Sequence, residues 1–157
     1  MTTIRGRGER QQWTPDLAVL AARLAASTHQ ELFDGLRERG YRDLRHRHGP
    51  VVAFLDEDGV RATDLARLTG LHKQVVGRLV DELEELGVVE RAPDPADRRA
   101  KLVLPTAAGI ALVRDADEIV AGIESRHAQA VGSKTYAAFR DAMLDVVRNS
   151  RPIRPIG

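Results

Sequence analysis

The chain has 157 residues, 43% hydrophobic and 30% charged, with 24 basic and 23 acidic side chains and a formal net charge of +1. This length supports one domain with a sizeable core, and the composition excludes wholesale disorder. No run nears the roughly 18 apolar residues of a membrane span, and the lack of cysteine excludes disulfides, thiolate metal sites and redox-sensing thiols.

The start, MTTIRGRGERQQW, has no apolar signal core, so a cytoplasmic location is expected. Both ends are basic, with Arg5, Arg7 and Arg10 at one and Arg148, Arg151 and Arg154 at the other. Residues 1–13 and 150–157 are read as flexible tails.

Thr14-Pro15-Asp16 reads as a helix start: a hydroxyl cap, proline at the first helical position, then an acid near the positive end of the dipole. Leu17, Leu20, Leu24, Phe33 and Leu36 follow at helical spacing, which predicts one long helix to Arg39, ended by Gly40. A shorter helix is predicted from His46 to Leu55, with Pro50 in its first turns. Asp56-Glu57-Asp58-Gly59 is a turn and Val60-Arg61-Ala62 a brief strand.

Thr63 is then expected to cap a helix to Leu68, stopped at Thr69-Gly70. The next helix runs from His72 to Leu86 and closes at Gly87. Its apolar stripe is Val76, Leu79, Val80, Leu83 and Leu86. Two helices joined by a short glycine-containing turn make a helix-turn-helix. Val88 to Arg91 and Lys101 to Leu104 have strand character around a loop at Pro93–Asp97, an antiparallel hairpin. A helix-turn-helix followed directly by a hairpin is a winged helix.

Thr106 caps the next helix, apolar through Leu112, Ile119, Val120 and Ile123. Gly132-Ser133 breaks it and caps a last helix carrying Tyr136, Phe139, Met143, Val146 and Val147. The predicted fold is mostly α with a small β-hairpin wing: a winged helix-turn-helix over 43–105, flanked by long helical regions at 14–42 and 106–149. So small a domain cannot bury both flanking stripes, so they are expected to pack on each other and on a second subunit.

The outward face of the His72–Leu86 helix carries Lys73, Gln74, Gly77, Arg78 and Asp81, and its second half reads DELEE. Acids at a helix C-terminus oppose the macrodipole. They make sense if only the N-terminal half meets a polyanion; the other reading is a solvated face with Arg78 paired to Asp81 or Glu82. Lysine and arginine address guanine acceptors and glutamine addresses adenine when a helix N-terminus enters the major groove. Lys73, Gln74 and Arg78 are therefore candidate DNA contacts. Arg61 and Thr63, at the start of the first helix of the pair, complete the set. His72 is read either as a further donor to DNA or as a helix cap. Gly77 costs about 1 kcal/mol relative to alanine; it reads either as close approach of backbone to DNA or as drift.

Arg98 and Arg99 sit at the hairpin tip, where guanidinium groups suit the negative potential of a narrow minor groove. Asp94 and Asp97 are poor DNA contacts in themselves, but Asp97 can fix the reach of the arginines. Lys101, on the same strand face as Arg99, suits a phosphate.

Residues 65–109, LARLTGLHKQVVGRLVDELEELGVVERAPDPADRRAKLVLPTAAG, resemble the core of the MarR family of bacterial transcriptional regulators. The resemblance lies in a helix-turn-helix, then LGVVER, an Asp-x-Arg wing at Asp97 to Arg99, and Thr-x-x-Gly at Thr106 to Gly109. The flanking helices match in layout over about residues 14–149. The resemblance implies a cytoplasmic homodimer joined through its terminal helices. It implies binding to pseudo-palindromic double-stranded operators, repression, and release by a small aromatic or phenolic effector near the hinge. It also makes Arg99 the wing arginine of the minor groove, with Arg98 beside it. His29, Phe33, His46, His48 and Phe54, on helices bordering that hinge, become candidate effector contacts. Three positions depart from the family pattern. Pro105 replaces the usual leucine and is expected to end the strand early, His72 stands where a serine cap is common, and Gly77 stands where a hydroxyl residue is usual.

No cofactor and no metal is expected: His46-x-His48 does not put both rings on one helix face. Nor is an enzyme, since the chain has no phosphate-cradling glycine loop, nucleophile elbow, metal-binding helix motif or paired catalytic carboxylates. The competing function is a winged-helix protein-interaction module for an acidic partner.

Overall fold

The structure, a computed structural model, describes residues 15–151; Thr14, Arg5, Arg7, Arg10 and Arg154, and with them most of both tails, lie outside the described residues. Helix α1 spans Leu17–Glu38 and is capped by Asp16, whose carboxylate accepts the Val19 N–H at 3.0 Å. The acid therefore sets the start, and Pro15 precedes the cap instead of occupying the first turn. Phe33 and Leu36 are buried, whereas Leu17, Val19, Leu20 and Leu24 stay at least 40% exposed.

A 3₁₀ turn, His46–His48, runs into a short helix α2, Gly49–Val52. The helix predicted to Leu55 ends sooner because the Phe54 and Leu55 N–H groups reach back only three residues, to the Val51 and Val52 carbonyls. In the turn that follows, the Asp56 carboxylate accepts the Asp58 N–H at 2.9 Å. Gly59 has φ +83°, and a Cβ there would lie 3.0 Å from Leu102 and Leu104, so both conformation and space call for glycine.

Strand β1, Val60–Arg61, leads into α3, Ala62–Thr69. Arg61 occupies the cap position without a side-chain cap bond, and Thr63 sits within the first turn instead of capping it. The Thr69 hydroxyl donates to the Leu65 carbonyl at 2.7 Å and accepts the Leu71 N–H at 3.2 Å, turning the chain at Gly70, φ +70°. Helix α4 spans Lys73–Glu85. His72 caps it, its Nδ1 accepting the Gln74 N–H at 3.3 Å. Val76, Leu79, Val80 and Leu83 are buried, but Leu86, beyond the helix end, is 38% exposed.

The hairpin is longer than its sequence signals. Strands β2, Val89–Asp94, and β3, Asp97–Pro105, leave only Pro95-Ala96 between them. The sheet order is β1-β3-β2, antiparallel throughout, with a register shift at Pro93/Asp94. Pro93 is tolerated because β2 is an edge strand. Pro105 does not end β3 early: it forms the last rung, opposite Val89.

Helix α5, Ala107–Val131, begins at Thr106, whose hydroxyl accepts the Gly109 N–H at 3.1 Å and donates to the Gly87 carbonyl at 2.6 Å. A Cβ on Gly109 would stand 2.1 Å from the Val88 carbonyl oxygen, so glycine lets the helix seat directly on the root of the wing. Helix α6, Ser133–Asn149, follows Gly132 at φ +91°; Ser133 lies inside its first turn and is not a cap.

One core unites α1, α2, α3, α4, the hairpin and the start of α5 through Leu36, Val51, Leu65, Val76, Leu83, Val103 and Leu112. Helix α6 buries no residue, and Phe139, Leu144, Val146 and Val147 remain more than 40% exposed. Among the described residues no helix is long and apolar enough to cross a membrane.

Candidate nucleic-acid interface

The two halves of α4 are used differently. Lys73, Gln74 and Arg78 are exposed in the first half. Three of the four acids of the second half, Asp81, Glu82 and Glu84, are engaged within the fold, and Glu85 is exposed. Arg91, on β2, binds Asp81 at 2.5 Å through Nη2 and Glu84 through Nη1. Glu82 accepts from Arg47 Nε at 2.8 Å and from His48 Nε2 at 2.7 Å. The His48 Nδ1 accepts the Arg45 N–H at 3.0 Å, so its proton sits on Nε2 and is donated to Glu82. Arg47, then His48, hold the Glu82 carboxyl below the ordinary glutamate range. The pairing of Arg78 with Asp81 or Glu82 does not form. Among the described residues Lys73, Arg78, Arg98, Arg99 and Lys101 make no ion pair. Their charge, added to the positive end of the α4 dipole, makes this the anion-attracting side of the winged region.

At the wing, Arg98 and Arg99 are exposed just beyond the Pro95-Ala96 tip, and Lys101 is exposed two residues on from Arg99. Alternation puts 99 and 101 on one face of β3 and 98 on the other. The Asp97 carboxylate accepts the Arg99 N–H at 3.0 Å, so it shapes the backbone at Arg99 and does not grip a guanidinium.

Asp94, set aside in the sequence as a poor DNA contact, is the wing's buried anchor. It is 6% exposed and accepts the Ala96 N–H at 2.8 Å, Arg61 Nε at 2.7 Å and Arg61 Nη2 at 2.5 Å. The Ala96 N–H, then Arg61, hold its carboxyl below the usual aspartate range. Arg61 is thus committed to the wing root, with its side chain 38% exposed, while Thr63 is exposed on α3. The signal for Asp94 was present in Asp-Pro-Ala, an aspartate poised to bond the backbone two residues on; its arginine partner, far away in sequence, carried none.

A cavity of about 370 Å³ lies between α1, α2 and α5, lined by Leu32, Phe33, Leu36, Val52, Val113, Val120 and other small or apolar residues, with Asp117 its one charge. Of the five candidate effector contacts only Phe33 lines it. His46 stacks on Phe33 with ring centroids 4.4 Å apart, His48 faces Glu82, and His29 and Phe54 are exposed. Nearby, Tyr41 donates to Asp115 at 2.6 Å, and Arg39 binds Asp115 at 2.8 Å and Glu118 at 2.9 Å, fastening the end of α1 to α5. A second groove, about 650 Å³, runs along the exposed apolar side of α6 past Leu24, Phe139, Met143 and Leu144. No group of three or more metal-ligating side chains is found among the described residues.

Residues 42–100 match the family model described as MarR family. An uncharacterized HTH-type transcriptional regulator of Bacillus subtilis (strain 168), YcgE, is 40% identical over 63 residues, covering 40% of this chain and 41% of that relative's length. The fold is similar to that of CouR from Rhodococcus jostii RHA1 bound to p-coumaroyl-CoA: 29% identity, 87% of this chain and 94% of the other, TM-score 0.70. It is also similar to a transcriptional regulator (MarR family) from Rhodococcus sp. RHA1: 26% identity, 87% and 100% coverage, TM-score 0.68.

Proposed function

We propose that this chain, whose residues 42–100 match the MarR family model, is a MarR-type, homodimeric, sequence-specific regulator of transcription. It binds double-stranded DNA, and repression is its mode of action. The observation that carries the reading is the division of charge on α4. Asp81, Glu82 and Glu84 are taken up by Arg91, Arg47 and His48, while Lys73 and Arg78 of its first half and Arg98, Arg99 and Lys101 of the wing are left without acidic partners among the described residues.

In this reading Lys73, Gln74 and Arg78 enter the major groove, Arg98 and Arg99 the adjacent minor groove, and Lys101 and Thr63 meet phosphates. His72 serves as the helix cap, Arg61 and Asp94 hold the wing, and Asp97 sets the backbone at Arg99. Residues 43–105 form the DNA-binding unit, while 14–42 and 106–149 join two copies. The cavity beside Phe33 receives a small aromatic or phenolic effector that releases the DNA; the p-coumaroyl-CoA bound by CouR supports that class. The protein works in the cytoplasm, and no catalytic activity is proposed.

Selection from a randomised duplex pool tests the proposal. Enrichment of a pseudo-palindrome, with half-sites centred about 10 bp apart, is the expected result. A pool that stays random after repeated rounds refutes it, and binding of the same face to an acidic protein would then favour an interaction module.

A further inference from the structure

The exposed first half of α4 carries one apolar side chain that the fold does not use. Val75 is 45% exposed, whereas Val76, Leu79 and Val80 on the same helix are at most 4% exposed. It is the third residue of the helix, directly after Gln74 and one turn before Arg78. Its neighbours along the helix, three and four residues on, are the exposed Arg78 and the buried Leu79, so it stands at the edge of the candidate interface. A β-branched residue is a weaker helix former than alanine, so an exposed valine in this turn improves neither the helix nor the core.

We propose that Val75 is a specificity-determining residue that packs against the 5-methyl group of a thymine in the major groove. The inference rests on the proposed DNA-binding function. Thymine is the base that presents a methyl group there, and adenine presents the paired N6 and N7 groups that an amide side chain reads. Gln74 and Val75, adjacent in the turn that meets base edges, together suit A·T pairs.

The test uses the full-length protein and a duplex that the wild type enriches from a random pool. Each thymine is replaced singly by uracil, which deletes the 5-methyl group alone. Wild type is expected to lose affinity about fourfold at one thymine position of each half-site, the effect of one methyl group withdrawn from an apolar contact. Val75→Ala is expected to bind the thymine duplex less tightly by a similar factor and to stop distinguishing thymine from uracil at that position. Its thermal midpoint and its affinity for random duplex should not fall. Unchanged thymine–uracil discrimination in Val75→Ala, or a wild type indifferent to uracil everywhere, overturns the inference while leaving the proposed function standing. Failure of the wild type to enrich any duplex overturns both.

Discussion

At the scale of single residues, Gly77 separates stability from binding most cleanly. A helix-interior glycine costs about 1 kcal/mol relative to alanine, and the fold has open space for the missing methyl group. Gly77→Ala is therefore expected to raise the melting temperature by roughly 2–4 °C while weakening binding to the selected duplex. A raised midpoint with unchanged affinity would show that DNA backbone does not come close there. Arg99 gives the complementary case. It is exposed and makes no ion pair among the described residues, so Arg99→Ala should leave the thermal midpoint within error and weaken duplex binding, most of all on A/T-rich flanks. Equal losses on A/T- and G/C-rich flanks, measured by titration, would remove Arg99 from the minor groove. Both residues were legible as chemistry: an arginine pair beyond a proline-rich turn, a glycine on a helix face. The backbone role of Asp97 was only half legible, because its bond runs to an N–H and not to a side chain.

Among the elements, the wing depends on a contact that local sequence does not announce. The buried Asp94 joins the tip backbone to Arg61 on β1, a partner 33 residues away. Its carboxyl is held below the ordinary range first by the Ala96 N–H and then by Arg61. A depressed folded-state value contributes stability that is full above the unfolded value of about 3.9 and is lost as pH falls through the folded value. Asp94→Asn should therefore unfold at lower denaturant than wild type at pH 7, with the gap closing below about pH 4. A gap of equal size at pH 7 and pH 3 would mean that the charge on Asp94 is not what holds the wing. The same distance problem explains the acids of α4. Within one helix the natural partner for Asp81 or Glu82 is Arg78, three or four residues away. The partners actually used come from β2 and the 3₁₀ turn. Local caps were read unevenly for the same reason. Thr106 sits at a clean helix start and was legible, whereas Thr63 and Ser133 follow residues that had already entered the cap position.

For the whole molecule, the order of elements and the winged core followed from apolar periodicity, because four of the five stripe positions of α4 face inward. What periodicity could not supply was the partner of the outer helices. Among the described residues, the first turns of α1 and all of α6 leave their apolar sides uncovered. If a second copy covers them, Leu144→Asp should shift the protein from dimer to monomer in sedimentation while the winged domain stays folded. It should also weaken duplex binding, because two half-sites are no longer held together. A Leu144→Asp protein that sediments unchanged would contradict the proposed assembly. The central claim is broader than any one contact: the cations of α4 and the wing meet a phosphate backbone. Its most direct test is the affinity of the full-length protein for its selected duplex as salt is raised. The expected result is a steep linear fall of log K with log salt, close to 0.9 per phosphate neutralised, with the selected duplex preferred over random DNA. A shallow slope with no preference over random duplex would contradict it.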